Sequence, residues 1–549
     1  MKNPGTSDYS TFRVAQLAAA ISIASFFYYL RHGDLLLYGD AVAHIDIARR
    51  VFDSRTPGLL QLGTVWLPLP HILMLPFLVS RWMWQTGIGG SIPSLIAYVF
   101  SVTGIFRLMR TVIPSRESRS EWDIQFAAWL AAAIFALNPN VIYLQTTAMT
   151  EPVYLALFIW TVGFFSDAIR GCAAGETRKA NSSLVNCSFC LFGACLTRYD
   201  GWLLAAVVVA TASSLAWLGN FAPLRPGVKK LVLLAVAAPL LWLAYNAAVY
   251  GNPLEFANGP YSAKAIELRT AVPGMPPHPG TNDLSMAFKY FFKSAQLTLG
   301  EHGWQIFWVS ALLIGTGIVV LFQRKLWPLP LLWTPVPFYM LSIAHSGVPL
   351  FVPVWWPFSR YNVRYGIEML PAFAVFTAIA AYGLIRFVPT PRAKVAVATV
   401  FSLVATASYF QVFRSGAVSF QEAEINSRTR IALETQLAAS LKQLPPNSTF
   451  VMYLGDHVGA FQQAGIPLSR VINEGNHRPW KRPADPDGLW EKALQHPAAY
   501  ADFVVTFDSD VVASTIEKRE LQAIEIVRVS GQPEATLYRT LKTLGIQSR

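Results

Sequence analysis

The stretch GIEMLPAFAVFTAIAAYGLIR, residues 366–386, decides the fold class of this 549-residue chain. Between Glu368 and Arg386 it holds no charged residue, and most of its side chains are apolar. About 20 apolar residues in a helix are enough to cross the roughly 30 Å hydrocarbon core of a bilayer. The stretch therefore predicts a membrane-spanning helix whose charged residues are confined to its two ends.

Apolar blocks of this kind recur along the first three quarters of the chain. Hydrophobic residues make up 53% of the chain and charged residues 14%, whereas soluble proteins carry about a quarter charged residues. The blocks lie at residues 12–31, 91–108, 122–138, 152–169, 184–199, 202–219, 231–249, 304–322, 327–345, 366–386 and 393–411. They predict an all-α polytopic membrane domain over residues 1–411, with about 11 transmembrane helices.

Basic residues group in the loops after every second apolar block. Those that mark these loops are Arg107, Arg110, Arg116, Arg119, Arg170, Arg178, Lys179, Arg225, Lys229, Lys230, Arg324, Lys325, Arg386, Arg392 and Lys394. Loops rich in lysine and arginine stay on the cytoplasmic side of a membrane. With a cytoplasmic N-terminus, about eleven spans place the C-terminus outside. The same loops account for the net charge of +12, so we predict no nucleic-acid partner.

Two long segments are predicted to be external loops, residues 32–90 and 250–303. Within the first, residues 67–84 are apolar enough to resemble a twelfth span, but they contain three prolines. Proline disfavours a straight helix, and a crossing here would also place the four-arginine loop that follows outside. We therefore expect this segment to lie along the outer face of the membrane.

The pattern changes after the last apolar block. Residues 412–549 contain short strand-like runs, at Thr449–Leu454, Asp502–Phe507 and Ala523–Val529. Before them, apolar residues at helical spacing predict one buried helix face, formed by Ile425, Leu433, Leu437 and Leu441. We predict a small α/β domain outside the membrane.

The first external loop contains the leading candidate for an active-site carboxylate. Asp40 opens the segment Tyr38–Arg50, whose apolar residues are spaced as in a short amphipathic helix. A carboxylate there can cap free helix N–H groups, or nearby lipid can raise its pKa and make it a general base. His44, one turn further on, is a candidate for substrate binding, whereas Asp46 is expected to be a solvated helix residue.

A second acidic candidate stands at the start of the block 152–169. In Thr150-Glu151-Pro152 the threonine can cap a helix, the glutamate suits the positive end of the helix dipole, and the proline fits the first turn. Capping alone could therefore explain Glu151. Because Glu151 lies on the same predicted membrane face as Asp40, we predict that it is a catalytic residue.

Two basic groups are candidates for binding substrate. Arg198, Tyr199 and Asp200 share one short turn, in which the two opposite charges could simply neutralise each other. Arg360, Tyr361 and Arg364 precede the stretch 366–386, and the i, i+4 spacing of the two arginines predicts one helix face. Guanidinium groups suit a phosphate, although arginines near a membrane also snorkel to the interface. These six residues complete the predicted binding set.

A charge close to hydrocarbon is costly, so charges repeated on one membrane face indicate a shared site.

The sequence contains no GxxxxGK[ST], HExxH or GxSxG motif, which argues against a P-loop motor, a zincin and an α/β-hydrolase. The predicted cytoplasmic loops are too short to form a domain that binds nucleotide sugars.

These residues together resemble the GT-C fold glycosyltransferases, the superfamily of protein O-mannosyltransferases, aminoarabinose transferases and oligosaccharyltransferases. The resemblance is nearest to the bacterial GT39-like branch, similar to dolichyl-phosphate-mannose–protein mannosyltransferases, and it covers roughly residues 12–411. It rests on Asp40, the Pro-rich segment Trp66–His71, Glu151-Pro152, the turn Thr197–Trp202 and the stretch Arg360–Pro371.

The resemblance implies a polyprenyl-phosphate-linked sugar donor and a lipid, polysaccharide or protein acceptor, met on the periplasmic side of a bacterial inner membrane. It matches Asp40 to a catalytic carboxylate, Glu151 to an acidic residue that helps to hold a substrate, and Arg360 and Arg364 to cations around the lipid phosphate. Relatives often carry two adjacent acidic residues in the first loop, where this chain has Gly39 and Ala41 around Asp40. We therefore predict no cofactor and do not favour a divalent metal.

The mechanism predicted on this basis is an inverting transfer with Asp40 as the general base. The arginines, with Arg198 as a third, would stabilise the departing lipid phosphate. Two alternatives from other classes are a transporter of lipid-linked sugars and a non-catalytic membrane scaffold. Transporters usually place charges near the bilayer midplane and carry inverted repeats, neither of which the sequence indicates.

Overall fold

The computed structural model describes residues 4–113, 121–271, 273–322, 328–455, 457–476, 487–508 and 510–541. Four basic residues of the predicted cytoplasmic loops lie outside these ranges, Arg116, Arg119, Arg324 and Lys325. The described chain is mostly helical, with one small sheet near its C-terminal end. This agrees with the predicted fold class, an α-helical membrane domain followed by a small α/β region.

Among the described residues, eight helical segments are long and apolar enough to cross a membrane, so the chain is a multi-pass membrane protein. They are Tyr9–His32, Ile88–Val112, Glu151–Ala173, Asp200–Trp217, Ala222–Tyr250, Gly303–Leu321, Val363–Phe387 and Pro391–Lys442. The last of them joins two consecutive helices, Pro391–Ser415 and Val418–Lys442. Each of the eight contains all or nearly all of one predicted apolar block.

The other three predicted spans are also helical, but their helices are shorter or more polar. They overlap the helices Glu121–Ala136, Thr177–Cys195 and Pro335–His345. Residues 67–84 contain the ten-residue helix Leu69–Leu78, which is about 15 Å long and cannot cross a bilayer. That these three blocks cross the membrane, and that residues 67–84 do not, stay predictions.

Contacts divide the chain into two compact units. The first contains residues 1–32, 93–242 and 256–422, and the second contains residues 33–92, 243–255 and 423–549. The second unit thus combines most of the predicted first external loop with most of the predicted C-terminal domain. A division of the chain at residue 411 stays a prediction.

The first unit is a bundle of helices that pack through small residues. Its further helices are Pro139–Leu144, Ala263–Thr270 and Leu284–Leu297, and the 3-10 turn Val363–Met369 leads into the helix Leu370–Phe387. Gly315 of the helix Gly303–Gly317 lies against Phe376, and a Cβ built on Gly315 would come within 1.9 Å of the Phe376 carbonyl oxygen. Small residues allow this close approach of membrane helices, which is a main source of their packing energy.

The second unit contains the five-stranded sheet. Its strands are β1 (Phe450–Val451), β2 (Val471–Ile472), β3 (Phe503–Phe507), β4 (Leu521–Val527) and β5 (Ala535–Thr540), in the order β2-β1-β3-β5-β4. The strands β2, β1 and β3 are parallel, and β5 is antiparallel to β3 and β4. The three predicted strand-like runs correspond to β1, β3 and β4, while β2 and β5 were not predicted.

The remaining helices of the second unit are short, apart from the helix that follows residue 417. They are Gly39–Arg50, Leu69–Leu78, Arg81–Gln85, Gly459–Ala464, Leu489–Gln495, Pro497–Tyr500 and Val511–Thr515. In the helix Val418–Lys442, Leu433, Leu437 and Leu441 are buried as predicted, but Ile425 is 49% exposed. The prediction for Ile425 was wrong because twelve residues at 100° each turn it about 120° away from Leu437, the middle residue of the buried face.

We expect Gly315→Ala to lower the thermal stability of the purified protein sharply. The added methyl group would meet backbone atoms that cannot rotate away, and overpacking costs about 1–3 kcal/mol or more. Gly317→Ala is the matched control, because a Cβ there meets no atom within 4 Å. Equal melting temperatures for the two variants would contradict the close packing at Gly315.

Candidate active site

Arg198 is the centre of a buried ionic cluster in the first unit. Its guanidinium lies 3.2 Å from Glu151 Oε1, 3.2 Å from Asp200 Oδ2 and 3.1 Å from Glu368 Oε1. It also donates hydrogen bonds to the hydroxyl groups of Thr150 and Tyr339, at 2.9 and 2.8 Å. One cation is therefore shared by three carboxylates.

Arg364 extends this cluster on the other side of Glu151. Its Nε lies 3.3 Å from the same Glu151 Oε1, and its Nη1 lies 2.6 Å from Glu422 Oε1. The backbone N–H groups of Asn362 and Arg364 also donate to the Glu422 carboxylate, at 2.9 and 3.0 Å. The guanidinium groups of Arg198 and Arg364 lie 5.2 and 5.1 Å from the ring centre of Tyr365.

The cluster holds more acidic than basic side chains. Four carboxylates, of Glu151, Asp200, Glu368 and Glu422, contact two guanidinium groups. All four acidic residues are almost fully buried. Buried carboxylates require compensation, and the two arginines provide it. Among the described residues, Glu151 Oε2 and Glu368 Oε2 are carboxylate oxygens with no hydrogen-bond partner.

Helix starts and one tight turn bring these groups together. Glu151 and Asp200 are the first residues of the helices Glu151–Ala173 and Asp200–Trp217, and Glu368 lies in the 3-10 turn before Leu370. The expectation that Thr150 caps its helix was wrong: Thr150 makes no capping hydrogen bond, and its hydroxyl accepts one from Arg198 instead. Glu151 is therefore a partner of two arginines as well as a first-turn acid.

The ion pair that the sequence indicated in the turn at Arg198 is confirmed, but it is part of a larger ionic cluster. Arg198 and Asp200 do pair, yet Arg198 also reaches two more carboxylates. Tyr199 between them accepts a hydrogen bond from the Trp242 indole at 3.2 Å and stacks on Phe256, with ring centres 5.0 Å apart. Tyr199 thus lies in an aromatic layer beside the ionic cluster.

Arg360 and Arg364 do not share a helix face. The 3-10 turn begins at Val363 and Asn362 has a left-handed backbone, so Arg360 lies in the preceding loop. That part of the prediction was wrong, because i, i+4 spacing aligns side chains only inside a helix. Arg364 is buried in the cluster, Arg360 is half-buried, and Tyr361 is exposed.

Three members of the cluster were missed by the sequence reasoning, Tyr339, Glu368 and Glu422. The Tyr339 hydroxyl donates to Glu368 Oε1 at 2.7 Å. Glu368 carried a usable signal, since it is the acidic residue at the edge of the apolar stretch 366–386. Glu422 lies 58 residues from Arg364 in sequence, and no local pattern relates the two.

Asp40 and His44 belong to the second unit. Asp40 is half-buried in the first turn of the helix Gly39–Arg50, for which Tyr38 is the N-cap residue. His44 is buried; its Nδ1 lies 2.9 Å from His71 Nε2, and its ring centre lies 4.6 Å from that of Trp66. Burial and the charges near it lower the pKa of His71 well below its usual range, which keeps its ring neutral.

Asp46 is buried, and the expectation that it is solvated was wrong. Its Oδ1 accepts a hydrogen bond from the Trp84 indole at 2.8 Å, while Oδ2 has no partner within the described chain. Burial raises the pKa of Asp46 to about 7, against the lowering effect of Trp84 and Arg50. The helix Gly39–Arg50 therefore carries a titrating carboxyl group six residues after Asp40.

Arginine side chains hold both ends of the helix Gly39–Arg50. Arg49 pairs with Asp53 at 2.9 Å and donates to the carbonyl oxygens of Leu78 and Val79. Arg430 donates to the carbonyl oxygens of Leu36 and Leu37, both at 3.0 Å, just before Asp40. Burial raises the pKa of Asp53, but hydrogen bonds from Ser469 and Arg49 outweigh it, so the net pKa is lowered.

A search of the described residues finds no group of three or more His, Cys, Asp or Glu side chains that could hold a metal ion.

Solved structures with a similar course of the chain decide the fold. ArnT from Cupriavidus metallidurans bound to undecaprenyl phosphate aligns with 14% identity over 95% of this chain and 97% of its own, at a TM-score of 0.54. The apo form of the same ArnT aligns with 13% identity over 95% of this chain and 97% of its own, at a TM-score of 0.51. The chain has the GT-C fold. Because 95% of the chain is covered, the GT-C likeness includes residues of both compact units.

A second GT-C protein gives a similar match. The apo form of the Archaeoglobus fulgidus oligosaccharyltransferase aligns with 14% identity over 91% of this chain and 70% of its own, at a TM-score of 0.50. No protein-family model matches the sequence, and no curated protein matches it as a relative.

We expect Arg198→Met to destabilise the protein by about 3–5 kcal/mol, because three buried carboxylates would lose their shared cation. Adding Glu368→Gln should restore part of the loss by removing one of those charges. Melting temperature in detergent is the measurement. Arg178→Met, at an exposed arginine, is the control and should leave the melting temperature unchanged. A simple sum of the two effects in the double variant would show that Arg198 and Glu368 are not coupled.

We expect Asp46→Asn to stabilise the protein more at pH 8 than at pH 5. The folded-state pKa of Asp46 is about 7 and its ordinary value is 3.8. The folded state therefore favours the protonated form, and the contribution of Asp46 to the free energy of unfolding falls as the pH rises from about 4 to about 7. Asparagine remains neutral throughout this range.

The expected gain at pH 8 is ~1–2 kcal/mol, as for removing one unsatisfied buried group, and it appears as a higher melting temperature. Differential scanning fluorimetry of both proteins from pH 5 to pH 8 measures it. A difference in melting temperature that does not change with pH would show that Asp46 does not titrate in this range.

Proposed function

We propose that the protein is a membrane glycosyltransferase that transfers a sugar from a polyprenyl-phosphate-linked donor to an acceptor on the extracytoplasmic side. The observation that carries this proposal is the GT-C fold, which the chain shares with ArnT bound to undecaprenyl phosphate over 95% of its length. The sugar is a hexose or pentose, and the acceptor is a lipid, polysaccharide or protein. The membrane is the bacterial inner membrane, with the N-terminus cytoplasmic and the region after residue 411 periplasmic.

Asp40 is proposed as the general base. Its carboxylate takes the proton of the acceptor hydroxyl, whose oxygen attacks the anomeric carbon of the donor. The bond between that carbon and the phosphate oxygen breaks, and the electron pair remains on the phosphate. The products are an inverted glycoside and the polyprenyl phosphate. The half-buried position of Asp40 at a helix start supports this role, because it gives the carboxylate both access and a fixed direction.

Glu151 is proposed to help hold a substrate, and Arg198, Arg360 and Arg364 to stabilise the leaving phosphate. Glu151 Oε1 accepts from both Arg198 and Arg364, at 3.2 and 3.3 Å. Two guanidinium groups that converge on one oxygen form the kind of arrangement that binds a phosphate oxygen. His44, Tyr199, Asp200 and Tyr361 are proposed to contact the sugar or the acceptor.

We expect Asp40→Asn to lower transfer by about 10²–10⁴-fold, the usual contribution of a general base. Purified protein in liposomes is supplied with a panel of polyprenyl-phosphate-linked sugars and a bacterial envelope extract as the source of acceptors. Release of polyprenyl phosphate, measured by mass spectrometry, reports turnover whatever the acceptor is.

Asp34→Asn is the matched control, since this carboxylate precedes the same helix and has no proposed role. Near-full activity of Asp40→Asn would reject Asp40 as the base. If the wild type releases no polyprenyl phosphate but moves the lipid-linked sugar across the bilayer, the protein is a transporter and the proposed function is wrong.

A further inference from the structure

The aromatic hairpin, defined as residues 351–361, exposes large apolar side chains that the proposed sugar transfer does not use. Phe358 is 68% exposed and Trp356 is 43% exposed, and Val354 beside them is exposed as well. Contiguous apolar groups at a protein surface commonly mark a site of contact with another molecule or a membrane. The hairpin therefore requires an apolar partner.

The backbone of the hairpin is held in one shape. Phe351 and Tyr361 form an antiparallel bridge, in which each N–H donates to the carbonyl oxygen of the other, at 2.9 and 3.4 Å. Across the tip, the Phe358 N–H donates to the Trp355 carbonyl at 2.6 Å, and the Tyr290 hydroxyl donates to the Trp356 carbonyl at 2.6 Å. A surface ordered in advance loses little entropy when it binds.

The position of the hairpin in the chain places it near the edge of the bilayer. It ends two residues before the membrane-spanning segment Val363–Phe387 begins. At about 3.5 Å per residue, Tyr361 lies no more than ~7 Å from that segment. On its other side, the helix Pro335–His345 ends six residues before Phe351.

The chemistry of the hairpin and its surroundings favours phospholipid over a sugar. Sugar-binding surfaces combine aromatic rings with polar groups that bond hydroxyls, and Val354 and Phe358 offer none. Lys293 Nζ lies 5.8 Å from the centre of the Trp355 ring. Tryptophan rings concentrate at the level of lipid headgroups, and basic side chains beside them reach the lipid phosphates.

We propose that the aromatic hairpin inserts into the headgroup region of the adjacent bilayer leaflet. Phe358 and Trp356 reach the part of the acyl chains next to the headgroups, and Lys293 meets the lipid phosphates. Directly after the hairpin, Asn362 and Arg364 bind Glu422. The hairpin therefore fixes the depth of the ionic cluster at the level where a lipid-linked phosphate lies. This inference concerns membrane contact and holds whether or not the protein transfers a sugar.

A spin label at residue 358 tests the insertion. The four cysteines, Cys172, Cys187, Cys190 and Cys195, are replaced by alanine or serine, and Phe358→Cys is labelled in full-length protein in phosphatidylcholine–phosphatidylglycerol nanodiscs. Collisions with oxygen, which concentrates in lipid, are compared with collisions with a water-soluble nickel complex. We expect a several-fold preference for oxygen at residue 358, and a smaller one in a separate Trp356→Cys variant.

Val511→Cys is the matched control, because it is an exposed apolar residue of the unit that holds the sheet. Its label should collide mainly with the nickel complex. Melting temperature confirms that each labelled protein is folded. A label at residue 358 that behaves like the control would overturn the proposal, and so would its shielding from the nickel complex only after soluble oligosaccharide is added.

Discussion

The sharing of the Arg198 guanidinium by three buried carboxylates is the interaction on which the first unit depends. Glu151, Asp200 and Glu368 come from three different places in the chain, and each would be costly to bury alone. Their common cation fixes the helix starts against one another. Arg364 then connects Glu151 to Glu422, so charged side chains from positions as far apart as 151 and 422 belong to one network.

The second unit also buries polar side chains, but different groups bind to them. There the helix Gly39–Arg50 turns polar residues inward, and an indole, a second imidazole and backbone carbonyl groups satisfy them. Only some of these polar side chains form ion pairs. The pKa of Asp46 is raised to about 7 by burial, so its carboxyl group can be buried in the neutral, protonated form. A helix held in this way fixes the backbone position of Asp40, the proposed general base.

The sequence was a good guide where the cost of burial controls the pattern. Long apolar blocks predicted the membrane helices, and opposite charges between two of them identified Arg198 and Asp200. The sequence was a poor guide where the burial of a side chain depends on residues that are distant in the sequence. Asp46 looked solvated because helical spacing shows a face but not its neighbour, and Trp84 lies 38 residues later. Glu422 was missed for the same reason, and the Arg360–Arg364 pair failed because a helix was assumed where a loop lies.

The order in which the cluster's residues follow one another has a consequence for biosynthesis. Along the chain come Glu151, Arg198, Asp200, Arg364, Glu368 and Glu422, so acidic and basic groups alternate until the last two. A ribosome that inserts this chain from its N-terminus adds each cation after an anion that it can pair with. No arginine of the cluster has to enter the membrane boundary ahead of a carboxylate partner, and the excess of negative charge exceeds one only when Glu422 completes the set.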